Sequence, residues 1–343
     1  MNKSSQTKAS LDVNRANTSA LFHVVGGIWG LRTAFANLFY VRNPDAPTDP
    51  WVLVDAGVPG YGDRLLRAAE SLFGPDNPPA AIVLTHGHFD HVGALPHLLA
   101  AWPEVPVYAH PLELPYLTGR SSYPPPDPTV GGGAMSALSF LYPKKPLDLG
   151  RRVQPLPADG SVPHLPGWRW IATPGHSPGH VSLFREQDRT LLAGDAFVTV
   201  QAESGLATLT QQQVVSGPPA YFTTDWPSAA HSVAVLADLQ PDVAATGHGI
   251  PMRGEELRQQ LHELAERFNE LAIPRHGRYV KQAATADETG VTYVPPAVAP
   301  RVPLWLVGAA LADGLYWLRR QRQGGSTLTK TASYRRSRIG YAE

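Results

Sequence analysis

The chain has 343 residues, and its 29 basic and 29 acidic side chains give a formal net charge of zero at pH 7. This balance argues against a basic field over the whole molecule, so a nucleic-acid partner is not expected. The absence of cysteine excludes disulfides, cysteine-ligated zinc, iron–sulfur clusters and thiol catalysis. A hydrophobic fraction of 43% predicts a globular protein, while 34 prolines and 31 glycines predict many turns and long ordered loops.

The two ends of the chain differ from its body. Residues 1–20 are polar and lack an apolar run of signal-peptide length, so we expect a disordered leader and a cytoplasmic protein. We expect 276–343 to form an extension in which 302–318 is an apolar helix, interrupted by Asp313 and followed by a basic tail. That helix has three interpretations: a membrane anchor, an interfacial helix, or a helix docked on the domain. Its short length and the acid disfavour a span, so membrane association is possible but not favoured.

The body alternates between short apolar strands and helices, which indicates layered α/β construction. Strands are predicted in two stretches of 21–42 and at 51–54, 81–85, 105–109, 168–172, 181–185, 190–193 and 243–246, and helices at 62–73, 95–101, 227–239 and 255–271. Two segments rich in Pro, Gly and polar residues, about 111–165 and 197–221, interrupt this pattern. Loops of such length are typical of functional lids or disordered segments, and we predict two lid-like insertions in one domain over 21–275.

The densest polar motif is the run from Thr85 to His91, which places His86, His88, Asp90 and His91 directly after an apolar strand. Neutral imidazole nitrogens and carboxylate oxygens suit zinc or a similar divalent metal. Clustering these groups without a metal would leave unpaired polar atoms, which is costly. The segment therefore predicts a metal site rather than a simple strand cap.

Three further motifs also follow apolar runs. His176 lies in the string TPGHSPGH, Asp195 in AGDA and His248 in GHG. The flanking glycines allow the backbone to turn sharply, so that each polar side chain is expected at a strand tip.

In order and spacing, these four motifs and the strand-end Asp55 resemble the metallo-β-lactamase fold superfamily over about residues 21–250. The resemblance is to its hydrolytic branch, which includes glyoxalase II and the lactonases. It implies a four-layer αββα sandwich with metals at one edge between the sheets. The implied ligands are His86, His88 and His176 for a first metal, Asp90, His91 and His248 for a second, and Asp195 as a bridge between them.

The resemblance implies a hydrolase that uses two divalent metal ions, with zinc the first expectation and Mn or Fe possible for such nitrogen and oxygen ligands. Two cations can share and ionise one water, which supplies the nucleophile. We therefore expect cleavage of an ester, lactone or thioester in a small-molecule substrate. Asp90 and Asp195 are the expected catalytic side chains, with Asp90 also holding or relaying a proton. The oligomeric state is not predicted.

Other members of the superfamily catalyse different reactions, and two of these are alternatives for this chain. Persulfide dioxygenases use one iron and keep the HxHxDH string, so an iron-dependent dioxygenase is an alternative. A phosphodiesterase or nuclease is another, although the body lacks the extra motifs or basic channel that nucleases need. The bridging Asp195 departs from the antibiotic-destroying lactamases. The stretch from Phe197 to Val200 lacks the tyrosine of acyl-homoserine lactonases, and no glutathione motif follows His248.

Four further residues have two interpretations each. Asp55 either hydrogen-bonds in the ligand loop or acts as a turn or helix-capping acid. His110 either lines the pocket or is an ordinary strand-end histidine, and His180 either supports a ligand or packs on the sheet. Tyr221, near the end of the second insertion, either forms a pocket wall or packs that insertion onto the core.

Overall fold

The computed structural model describes residues 21–299, and elements are numbered in chain order over that range. The strands are β1 (Leu21–Val25), β2 (Ile28–Thr33), β3 (Ala36–Val41), β4 (Val52–Val54), β5 (Ala81–Val83), β6 (Val107–Ala109), β7 (Val153–Pro155), β8 (Trp168–Ala172), β9 (Val181–Arg185), β10 (Thr190–Gly194), β11 (Val243–Thr246), β12 (Met252–Arg253), β13 (Thr285–Asp287) and β14 (Gly290–Tyr293). The helices are α1 (Gly62–Phe73), α2 (Phe89–Val92), α3 (Leu95–Ala101), α4 (Leu114–Leu117), α5 (Ala134–Ala137), α6 (Gly205–Thr210), α7 (Trp226–Asp238), α8 (Gly254–Glu266) and α9 (Phe268–Leu271). Short 3-10 helices cover Pro111–Glu113, Ser139–Leu141 and Gly150–Arg152.

The strands form two main sheets and a small hairpin. The seven-stranded sheet has the order β1-β2-β3-β4-β5-β6-β7, antiparallel from β1 to β4 and parallel from β4 to β7. The five-stranded sheet has the order β12-β11-β10-β9-β8, in which only the β10–β11 pair is parallel. Strands β13 and β14 pair with each other.

The two sheets pack face to face, and helices cover their outer faces. Alternate residues of a strand point to opposite faces, so Leu53 of β4 joins a cluster with α1 and α3. Its neighbours Val52 and Val54 join an inter-sheet cluster that includes Leu192 of β10. A third cluster packs α7 and α8 against the second sheet. The layer order is helix, sheet, sheet, helix, so the predicted four-layer αββα sandwich is confirmed.

Several element ends match the sequence prediction and others differ. The ends of α1, α3, β8, β9 and β11 agree with it, because each lies beside a clear change in hydrophobic pattern. Residues 21–42 form three strands rather than two stretches. The predicted helix over 255–271 is divided at Arg267, which separates α8 from α9 although the apolar spacing continues.

The predicted insertions are partly regular. The first contains α4, α5 and the strand β7, which pairs in parallel with β6 and extends the seven-stranded sheet. Two of the three β7 residues are exposed, so this strand has almost no hydrophobic signal. The second insertion contains α6. The predicted leader and the apolar helix over 302–318 lie outside the described residues. Within 21–299, none of the helices has the length and apolarity needed to cross a bilayer.

Asn37 of β3 connects the two sheets. Its side-chain Nδ2 donates to the carbonyl oxygens of Thr246 at 2.9 Å and Gly249 at 2.8 Å. Its backbone N–H donates to the carbonyl oxygen of Gly247 at 2.7 Å. Asn37 is fully buried. These bonds hold the loop that carries His248 against the first sheet.

Replacing Asn37 with Ala should lower the free energy of unfolding by about 2–4 kcal/mol, because two buried carbonyl oxygens lose their donor. Urea denaturation of the metal-free protein measures this loss. The control is Asn269→Ala at an exposed position of α9, which should change stability by less than about 0.5 kcal/mol. Equal stability of Asn37→Ala and the parent would contradict the assigned role.

Candidate metal centre

The predicted ligands gather where strands of both sheets end. His86 and His88 follow β5, and α2 carries Asp90 and His91. Asp195 follows β10, His248 follows β11, and His176 lies in the loop between β8 and β9. All seven side chains are buried. Because β4–β5 and β10–β11 are parallel pairs, the carboxyl ends of each pair meet at one sheet edge, and the two edges face each other.

Three groups of ligand atoms form within this cluster, and the atoms of each group lie within 4.8 Å of one another. The groups share members, so they form one continuous centre. They are His86, His88 and His176; His86, His91 and Asp195; and Asp90, His91 and His248.

Asp195 lies between the imidazoles of the outer groups. Its Oδ2 is 3.1 Å from Nε2 of His248, 3.4 Å from Nε2 of His176 and 3.5 Å from Nε2 of His91. On one side, Nδ1 of His88 lies 3.0 Å from Nε2 of His176. One carboxylate is therefore within reach of both halves of the centre.

In several of the ligand histidines, Nδ1 contacts a group that is not itself a ligand. Nδ1 of His91 donates to Oδ2 of Asp55 at 2.9 Å, and Nδ1 of His248 donates to the Phe35 carbonyl at 2.9 Å. Nδ1 of His86 lies 3.1 Å from Oγ1 of Thr85. Such outer partners set the tautomer and leave Nε2 free to bind a metal.

Unpaired polar atoms remain inside the centre. In the described part of the chain, Nε2 of His86, Nε2 of His91 and Oδ1 of Asp195 are buried and have no hydrogen-bond partner. A buried acceptor without a partner costs about 1–3 kcal/mol. Divalent cations would satisfy these atoms, so the side chains present fit metal ions.

Burial keeps one half of the centre uncharged. Burial and the neighbouring imidazoles hold the pKa of His86 and of His176 well below the ordinary value. Burial, followed by the effect of His91, lowers the pKa of His88 to about 3. These three rings are neutral at physiological pH, which is the form that donates a lone pair to a metal.

Charge concentrates in the other half. Burial disfavours the Asp195 carboxylate, but His248 and His91 outweigh burial and hold the pKa of Asp195 well below its usual range. Burial likewise opposes protonation of His91, yet Asp195 and Asp55 outweigh it and raise the pKa of His91 well above the ordinary value. A cation that binds here competes with the His91 proton for the ring nitrogen, whereas the Asp195 carboxylate is already ionised.

A glycine makes room for this arrangement. A Cβ added to Gly247 would lie 1.9 Å from Oδ1 of Asp195 and 2.7 Å from Cε1 of His91. No side chain fits there without displacing a ligand atom. The first glycine of the GHG motif therefore lets the end of β11 pack closely against Asp195 and His91, while the histidine of the motif supplies a ligand.

Asp55 and His180 both support ligands. Asp55 has a φ of +63° and accepts hydrogen bonds from the N–H and Oγ1 of Thr85, each at 2.8 Å, in addition to that of His91. It therefore hydrogen-bonds to the ligand loop from the end of β4, whereas Tyr61 occupies the N-cap of α1. Nε2 of His180 accepts a hydrogen bond from the backbone N–H of Asp195 at 2.8 Å, which positions that residue.

His110 and Tyr221 lie outside the three ligand groups. His110 is half-buried, and its Nδ1 accepts a hydrogen bond from the N–H of Leu112 at 3.2 Å, which caps the 3-10 helix that follows. Tyr221 is buried, and its ring contacts those of Tyr142 and Phe222.

Sequence reasoning missed Glu113, which joins the two ligand loops. This fully buried carboxylate accepts from the N–H of Gly87 at 3.0 Å and from Tyr123 Oη on one oxygen. Its other oxygen accepts from Ser177 Oγ and from the N–H of Gly179, each at 2.8 Å. It thereby ties the His86–His88 loop to the His176 loop. The signal in the sequence is weak: one acid between two leucines in a segment predicted to be irregular.

Comparisons with known proteins agree with this geometry. The family described as the metallo-beta-lactamase superfamily matches residues 32–248. The chain is 45% identical over 261 residues to the probable metallo-hydrolase YflN of Bacillus subtilis strain 168, covering 76% of this chain and 98% of that protein. A shorter stretch of 71 residues is 61% identical to the hydroxyacylglutathione hydrolase of Xylella fastidiosa strain M12, covering 20% of this chain and 24% of that enzyme.

Among solved structures, the metallo-beta-lactamase family protein TTHA1429 from Thermus thermophilus has a TM-score of 0.50 and 22% identity. The match covers 71% of this chain and 80% of that chain. At this identity the likeness shows the fold, in agreement with the four layers described above.

Glu113→Gln keeps the size of the side chain but places an amide NH₂ among four donors, so the two ligand loops should lose their fixed separation. We expect metal affinity to fall about 10- to 100-fold, as is typical for partners that orient ligands. Competition with a coloured chelator measures the affinity, and visible spectra of the cobalt-loaded protein report the ligand geometry.

A matched control is Glu256→Gln on the exposed face of α8, which should change neither readout. If Glu113→Gln bound metal with the parent's affinity and spectrum, Glu113 would not position the ligands.

Proposed function

Because the chain belongs to the metallo-beta-lactamase superfamily, we propose that it is a metal-dependent hydrolase that cleaves an ester, lactone or thioester bond of a small molecule. The observation that carries this proposal is the convergence of seven buried imidazoles and carboxylates, with Asp195 within reach of both halves. In this proposal His86, His88 and His176 hold one cation, Asp90, His91 and His248 hold another, and Asp195 contacts both.

The donor set is mostly imidazole on one side and mixed imidazole and carboxylate on the other. Such nitrogen and oxygen ligands favour zinc first and accept Mn or Fe. When bound, divalent cations polarise a carbonyl oxygen and acidify water, so that a nucleophile is available near neutral pH without a Ser or Cys side chain.

Asp90 is the residue we assign to proton handling. Burial raises the pKa of this carboxyl above its ordinary value. Its Oδ2 lies 3.6 Å from Nε2 of the ligand His248, so this carboxyl group is part of the metal centre. A carboxylate at this position suits a group that takes a proton from water and passes it to a leaving group.

The relatives support acyl chemistry without fixing the substrate. The relative that matches along almost its full length is described only as a probable metallo-hydrolase. The hydroxyacylglutathione hydrolase match supports hydrolysis of an acyl bond, but it covers about a quarter of that enzyme, so its glutathione substrate is not carried over.

Metal removal and ligand substitution test the proposal together. Metal-stripped protein should lose turnover of aryl esters, thioesters and lactones, and zinc should restore it. His86→Ala and Asp195→Asn should lower metal content measured by mass spectrometry and reduce kcat/KM by at least about 100-fold. His262→Ala, an exposed residue of α8, should behave as the parent.

The outcomes separate the proposed reaction from its alternatives. Two zinc ions per chain with ester, lactone or thioester turnover support the hydrolase. One iron per chain with oxygen consumption would replace it with a dioxygenase, and turnover of phosphodiesters alone would replace it with a phosphodiesterase. Full activity of the stripped protein would overturn the mechanism.

A further inference from the structure

Several aromatic rings border the metal centre, and we call five connected ones the aromatic rim: Phe35, Phe89, Tyr142, Tyr221 and Phe222. The rim contacts the centre at both ends. Phe222 stacks on the ligand His88 with ring centroids 4.5 Å apart and planes at 26°. Phe35 stacks on the ligand His248 with centroids 6.0 Å apart and planes at 20°.

The rings between these two ends are continuous. Phe89 lies 6.3 Å from Phe35 and 5.6 Å from Tyr142, measured between ring centroids. Tyr142 lies 5.8 Å from Phe222 and 5.7 Å from Tyr221. The rim therefore runs unbroken from one half of the centre to the other, at the centroid spacings of ordinary aromatic pairs.

Four separate parts of the chain build this surface. Phe35 lies in the turn between β2 and β3, and Phe89 is the first residue of α2. Tyr142 comes from the first insertion, whereas Tyr221 and Phe222 come from the end of the second. Phe35, Phe89 and Tyr142 are only half-buried, so part of each ring is open to a ligand. Independent segments have thus placed apolar surface beside the same ligands.

The charged groups near the rim are carboxylates and imidazoles. Burial raises the pKa of Tyr221 well above the ordinary value, and the carboxylates of Asp90, Glu203 and Asp195 add to the rise. The Arg side chains that stack on aromatic rings within 21–299 all contact rings outside the rim. A ligand group on the rim therefore meets apolar ring surface without a stacked Arg side chain among the described residues, which disfavours an anionic group there.

We propose that the aromatic rim binds an uncharged, apolar part of the substrate, such as an aliphatic or aryl group attached to the bond that is cleaved. This inference rests on the proposed function, because it takes the metal centre as the place where the substrate carbonyl sits. It disfavours substrates that place a carboxylate on the rim itself, since the rim contacts described above include no cationic side chain.

Binding of simple carboxylates tests the rim without any turnover. Acetate, hexanoate and adipate can each place one carboxylate on the zinc-loaded protein, and the last two share a six-carbon chain. Each buried methylene should tighten binding by up to about fourfold. Calorimetry should therefore give a Kd for hexanoate at least about tenfold below those of acetate and adipate.

Substitutions locate that preference on the rim. Phe35→Ala and Phe89→Ala should each weaken hexanoate binding about 3- to 10-fold more than they weaken acetate binding. Phe35→Arg should shift the preference from hexanoate towards adipate. Tyr293→Ala, an exposed ring on β14, should bind the whole series as the parent does. Circular dichroism and metal content confirm that each variant is folded and loaded.

Turnover of matched p-nitrophenyl esters separates the two proposals. A higher kcat/KM for the hexanoate than for the mono-adipate ester supports both. Rim-dependent hexanoate binding without hydrolysis of any ester, lactone or thioester supports the rim and overturns the hydrolase. Equal binding of hexanoate, adipate and acetate overturns the rim, whatever the turnover, and so does a preference that survives Phe35→Ala and Phe89→Ala unchanged.

Discussion

The constraint on which the rest of the structure depends is the burial of seven side chains with metal-binding groups around polar atoms that have no hydrogen-bond partner within residues 21–299. Nε2 of His86, Nε2 of His91 and Oδ1 of Asp195 are each removed from water and unpaired. Burying such atoms without a partner is costly unless something outside the chain satisfies them. Divalent cations would do so, which is why the centre is best understood as incomplete without metal.

Everything around the centre restricts the freedom of those ligands. Asp55 fixes His91, the Phe35 carbonyl fixes His248, and His180 fixes the backbone of Asp195. Glu113 ties the two ligand loops, and Asn37 ties the last loop to the opposite sheet. These contacts come from both sheets, so the αββα packing and the geometry of the centre support each other. The ligands are held in place before a metal arrives, and little reorganisation is needed on binding.

Much of this was predictable from the sequence because metal ligands are encoded locally. The HxHxDH string, TPGHSPGH, AGDA and GHG each place a ligand type beside a strand end, and buried strands have continuous apolar runs. Asp55 was open to two interpretations, since a strand-end acid and a turn acid look alike until its partners are known. Glu113 and Asn37 were missed because their partners lie far away in the chain, and β7 was missed because two of its three residues are exposed.

The two insertions explain why the fold and the metal centre can be predicted from the sequence, whereas the substrate cannot. Ligand motifs are short and fixed in spacing, whereas the rim combines residues from the β2–β3 turn, α2 and both insertions. Its ring contacts depend on how those loops pack, and no periodic pattern encodes that packing. In our proposal, substrate specificity depends on these irregular segments, whereas the ligands lie at the ends of regular strands.

Anomalous X-ray diffraction from crystals grown with zinc tests the central claim most directly. The account predicts two anomalous peaks per chain, one among His86, His88 and His176 and one among Asp90, His91 and His248, with Asp195 in contact with both. A map with no peak among these side chains, or with a zinc bound only elsewhere on the surface, would contradict it.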